Sequence, residues 1–171
     1  MKPLKPYMLR RWRMGEPTEG HYFFTSARPG RTGNPASKFG AVPDDVVHRW
    51  ILGLPKPNTA IVSLLGRKPD GLSEFSFYSF YGGFDLPSEH SARLSLREWV
   101  ERWHGDKLIV VREHPTCDFT PLGAETLDAI AQDMYDLLSI GRTVVLVDSG
   151  GDTRVGMVCR HIGATEDSTQ F

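Results

Sequence analysis

The chain has 171 residues, 40% hydrophobic and 24% charged, a balance that supports one packed core and excludes a disordered chain. No apolar run approaches the roughly 18 residues of a membrane span, and no apolar segment follows the basic start as in a secretory signal. A soluble, cytoplasmic protein with no membrane partner is therefore expected. The net charge of −1 hides an asymmetry: residues 1–40 carry eight Lys or Arg against Glu16 and Glu19, whereas the rest carries 12 basic and 19 acidic residues.

A single domain over 1–171 is expected, with residues 1–20 as a basic, extended leader. A solvated terminal segment is the plainer account of that leader. The alternative is a non-enzymatic interaction module that meets an anionic partner through it, although nucleic acid is not the expected partner. Cys117 and Cys159 are too few for a disulfide framework or a cysteine zinc site. The histidines, at 21, 48, 90, 104, 114 and 161, lack ligand spacing, so neither a metal nor a cofactor is expected.

In chain order, His21–Ser26 predicts a strand, and Ala27–Ser37, rich in Gly, Pro, Asn and Ser, a long loop. Pro43-Asp44-Asp45 opens a helix on which Val46, Val47, Trp50, Ile51 and Leu54 recur with helical spacing, before Pro55 ends it. Ala60–Leu65 reads as a buried strand and aromatic-rich Glu74–Tyr81 as another. Ser95-Leu-Arg-Glu98 is a capping-box pattern ahead of a helix with Leu96, Trp99, Val100 and Trp103 on one face. Leu108–Val111 is a strand running into the loop Arg112–Leu122. A helix then starts at Ala124 and ends at Gly141. Thr143–Val147 is a continuous apolar strand, followed by the loop Asp148–Thr153 and a helix from Arg154 to about His161. Alternating strands and helices imply an α/β fold.

The chemistry concentrates in Asp148-Ser149-Gly150-Gly151-Asp152-Thr153-Arg154-Val155-Gly156. A glycine-rich turn between a buried strand and a helix aims backbone N–H groups at one point, and an arginine adds a two-pronged donor, so Ser149 to Arg154 are candidate phosphate-binding residues. The Gly-Lys-Ser/Thr ending of a triphosphatase loop is missing. A dinucleotide fingerprint needs more chain after Gly156 than the 15 residues that remain.

The segment resembles the loop of the cysteine-dependent protein tyrosine and dual-specificity phosphatases, His-Cys-x-x-Gly-x-x-Arg-Ser/Thr-Gly, which Gly151, Arg154 and Gly156 match. That family carries a general-acid Asp on a loop upstream of its nucleophile. Here Asp118, in Pro115-Thr-Cys-Asp-Phe-Thr-Pro121, lies 30 positions before Asp148. The resemblance spans Ala60 to Gly163, and residues 1–59 only loosely. It implies a three-layer phosphatase-like fold, with a central, mostly parallel sheet of four or five strands between helices. It further implies a phosphorylated protein or small phosphomonoester as ligand, with Asp148 at the nucleophile position, Asp118 as general acid and Arg154 holding phosphate.

The departures bear directly on activity. Asp148 stands where the family has its nucleophilic Cys, Val147 where it has His, and Val155 where it has a hydroxyl residue. A carboxylate is a poorer match than a thiolate for this chemistry. Asp148 is expected to sit among the loop amides beside Arg154 with a low pKa, binding the loop in place of phosphate. Three readings remain open: natural loss of catalysis, a substitution introduced for Cys, and an aspartyl nucleophile that forms an acyl phosphate. Phosphatase activity at or near background is expected. No His is placed in sequence to activate Ser149 or Thr153, which are read as loop-forming, and Cys159 reads as a core thiol. His114 is expected to line the cleft with Asp118, and Arg28 and Arg31 to rim it.

Overall fold

The structure is a computed structural model and describes residues 1–15, 20–38, 42–66, 94–105, 109–117 and 120–167. Within them lie strands β1 (Arg10–Arg13), β2 (Tyr22–Ala27), β3 (Thr59–Ser63), β4 (Val110–Glu113), β5 (Thr143–Asp148) and β6 (Thr165–Asp167). The helices are α1 (Asp44–Leu52), α2 (Leu96–His104), α3 (Ala124–Ser139) and α4 (Thr153–His161). The expected strand Glu74–Tyr81 falls outside the described residues.

One sheet runs β4-β3-β5-β2-β1-β6. The pairs β3–β4, β3–β5 and β2–β5 are parallel, while β1 is antiparallel to both β2 and β6. The α/β class is as expected. The sheet is mixed and six-stranded, however, where four or five mostly parallel strands were expected. The difference lies in β1 and β6, whose sequences Arg-Arg-Trp-Arg and Thr-Glu-Asp lack the apolar pattern of a strand.

Charge and aromatic contacts hold these two strands instead. Arg11 pairs with Asp167 at 2.5 Å and Arg10 with Glu166 at 3.5 Å. Trp12 stacks on Phe23 with centroids 6.4 Å apart and donates its indole N–H to Thr25 Oγ1 at 2.8 Å. Arg10 to Arg13 of the basic leader thus form an integral strand.

The two-residue period of the inner strands divides the core into two layers. Ala60, Val62, Leu64, Val144 and Leu146 pack with Ile130, Met134 and Leu137 of α3 and Val155 and Val158 of α4. Ile61, Val145 and Val147 pack with Val47, Trp50 and Ile51 of α1 and Leu96, Trp99 and Val100 of α2. The helices therefore sandwich the sheet. Each such apolar side chain contributes about 1.5–3 kcal/mol when fully buried.

Local signals set the helix ends. At α2 the expected capping box is present: Glu98 N–H donates to Ser95 Oγ at 3.1 Å, and Ser95 N–H to Glu98 Oε1 at 3.2 Å. Beyond α3, Gly141 takes φ +84°, and the N–H groups of Gly141 and Arg142 donate to Leu138 and Leu137 carbonyls, both at 3.0 Å. A left-handed residue there satisfies carbonyls that a helix end leaves unpaired.

Candidate functional site

Strands β2, β3, β4 and β5 run the same way, so Ala27, Ser63, Glu113 and Asp148 end at one edge of the sheet. In parallel α/β sheets that edge is where ligands bind. The loop from Asp148 to Thr153 crosses this edge and enters α4. At its apex Gly151 has φ +75°, and a Cβ there would lie 2.6 Å from Ala27 N and 2.8 Å from Met8 Cβ. Both the backbone angle and the close approach require glycine.

Asp148 is 2% exposed. Its Oδ1 accepts the Gly151 N–H, and its Oδ2 accepts those of Arg154 at 2.9 Å and Val155 at 3.0 Å. The amides of Arg154 and Val155 belong to the first turn of α4, where no intrahelical acceptor exists and the helix dipole favours an anion. The residue flanking the helix, Asp152, makes no side-chain cap. Asp148 therefore caps α4 from the end of β5, and the loop amides converge on a carboxylate that the chain itself supplies.

Burial pushes the Asp148 carboxyl above its ordinary range, against the opposing pull of the Arg154 charge and the three amides. This corrects the expected low pKa: desolvation of a nearly inaccessible carboxyl outweighs its donors.

The rest of the loop is fixed by its neighbours. Arg28 N–H donates to Ser149 O at 3.4 Å. Arg10, from β1, donates to Gly151 O and Asp152 Oδ1, both at 3.2 Å. Ser149 and Gly150 are half-buried, whereas Asp152 and Thr153 are exposed. Val155 is buried against α3 in the core, where no hydroxyl group is offered to the loop.

Arg154 is 1% exposed and turned inward. Its Nη1 donates to Leu64 O at 3.1 Å, Thr116 Oγ1 at 3.1 Å and Thr116 O at 3.4 Å, and Thr116 Oγ1 in turn donates to Leu64 O at 2.7 Å. These groups lie just beyond β3 and β4. The guanidinium expected to hold phosphate is thus engaged in joining strand ends, because a buried arginine must place its donors on nearby carbonyls.

The remaining candidates fare differently. Asp118 lies outside the described residues. His114 Nε2 meets Asp133 Oδ2 of α3 at 2.5 Å, while its expected partner in the cleft, Asp118, is not among the described residues. Arg28 is 1% exposed and donates to the carbonyls of Pro29, Ser37 and Lys38, so it folds the following loop onto itself and rims no cleft. Arg31 borders a different cavity. Cys159 is a core thiol, pushed up to about 12 by burial. Among the described residues no group of three or more His, Cys, Asp or Glu is arranged to hold a metal ion, and no helix is long and apolar enough to cross a membrane.

Sequence reasoning missed Thr116 and Arg10. Thr116 stood two positions before the singled-out Asp118, whereas Arg10 meets the loop across 141 residues and has no local signature. Compared with protein-family models, curated proteins and solved structures, the chain matches none.

Proposed function

We propose that this chain is a phosphatase-like protein that does not turn over phosphomonoesters, with its anion loop closed by its own Asp148 carboxylate. The observation that carries this reading is the convergence of the Gly151, Arg154 and Val155 amides on Asp148. In a working phosphoryl-transfer loop such donors hold the equatorial oxygens of the phosphoryl group, and the nucleophile stands exposed to attack phosphorus in line. Asp148 is inaccessible, and both of its oxygens are occupied. Its burial also disfavours the aspartyl-nucleophile reading. A phosphorylated protein or small phosphomonoester reaches these amides only by displacing the carboxylate.

The test is hydrolysis of an aryl phosphate between about pH 5 and 7, the range in which such acid–base pairs operate, by the native chain and by Asp148→Cys, with folding followed by circular dichroism. The expected result is background turnover by the native chain and measurable turnover by the variant. Turnover by the native chain contradicts the closed loop. Two folded but inactive proteins overturn the phosphatase-like part of the reading.

A further inference from the structure

A cavity of about 490 Å³ lies beside the N-terminal end of α1, apart from the Asp148 carboxylate. Its apolar walls include Val42, Pro43, Val46 and Trp50, and its rim includes Lys5, Tyr7, Arg31, Thr32 and Ser37. No acidic side chain lines it among the described residues. Ligand cavities in proteins commonly have this composition, with apolar walls that supply burial and a few polar groups that fix orientation.

The cationic rim is available and partly organised. Arg31 Nη1 donates to Ser37 Oγ at 2.9 Å and to the Thr32 carbonyl, and its guanidinium lies 5.5 Å from the centre of the Tyr7 ring. Neither Arg31 nor Lys5 has an acidic partner among the described residues, so the cavity carries two cations uncompensated by its own lining. Trp50 adds an independent observation. It is 2% exposed, and its indole Nε1–H has no hydrogen-bond acceptor among the described residues. A buried donor left without an acceptor is destabilising, which makes this wall of the cavity unusual for a surface that is merely structural.

We propose that this cavity binds a small aromatic acid, with its ring against Val42, Val46 and Trp50 and its anionic group at the rim that carries Lys5 and Arg31. The walls select an apolar ring, and the two cations select against neutral or cationic analogues of the same shape. The site goes beyond the phosphatase-like reading and stands without it, because none of its lining residues belongs to the Asp148–Arg154 loop.

The test uses the full chain and 1-naphthoate as probe, with 1-naphthylmethylammonium and inorganic phosphate as comparisons. Binding is read by calorimetry and by the four tryptophan indole N–H resonances, with the Trp50 resonance assigned through Trp50→Phe. The expected result is saturable naphthoate binding that moves the Trp50 resonance. Reversing a rim charge in Lys5→Glu or Arg31→Glu weakens it roughly tenfold, and the ammonium analogue and inorganic phosphate leave that resonance in place. Asp148→Ser retains naphthoate binding, which separates this site from the loop. Naphthoate binding that ignores both charge reversals, equal binding of the ammonium analogue, or no binding by the folded native chain overturns the proposal.

Discussion

At the level of single residues, Asp148 and Arg154 are both buried charged groups that serve as backbone fasteners, one capping α4 and the other joining the segments beyond β3 and β4. The Arg154 charge favours the ionised Asp148, and removing one of two buried opposite charges is costly, because the other is left uncompensated. Asp148→Asn replaces an acceptor oxygen with an NH2 group facing amide donors. A loss of about 1–3 kcal/mol is expected, read as a lower denaturant midpoint at neutral pH. The pH dependence has a defined sign. The carboxyl pKa is raised in the folded chain above its ordinary 3.8, so the folded state holds the proton more tightly than the unfolded state. The associated stability is full below that ordinary value and is lost as pH rises through the raised one. The advantage of the native chain over Asp148→Asn therefore narrows as pH rises through this window in paired denaturation curves, and an advantage that widens contradicts the assignment. The loop was legible from its residues because glycine spacing and an arginine at a helix start have local causes. The inward turn of Arg154 was not, since it depends on carbonyls 90 and 38 positions away.

At the scale of elements, the helices were the most legible. The capping box at Ser95, the stripe of α3 and Gly141 each act within a few residues. Ser95 also ties α2 to the sheet by donating from Oγ to Glu113 Oε1 at 3.0 Å, and burial raises the pKa of that carboxyl. Ser95→Ala removes the cap and leaves Glu113 short of a donor. A loss of about 0.5–2 kcal/mol is expected from the cap, while Ser95→Thr, which keeps the hydroxyl, retains most of the stability in the same melts. Equal melting of the native chain and Ser95→Ala contradicts this role. β1 and β6 were illegible for the opposite reason: their residues are those of a solvated segment, and they become strands only by pairing across the sheet.

At the scale of the whole molecule, the basic leader and the acidic body are complementary parts of one sheet. Arg10 reaches both the Asp148 loop and β6. Deleting residues 1–14 removes β1, separates β2 from β6 and releases the loop from its clamp, so loss of cooperative unfolding is expected, read by calorimetry. A truncated chain that melts like the native one returns residues 1–14 to the role of a detachable interaction segment. Closure of the proposed anion loop by the protein's own carboxylate is tested by the thermal shift of the native chain and of Asp148→Ser with tungstate, a phosphate-like oxyanion. The expected result is no stabilisation of the native chain and a concentration-dependent rise in the melting temperature of the variant, whose amides are free to bind the added anion. Equal stabilisation of both proteins, or of the native chain alone, contradicts it.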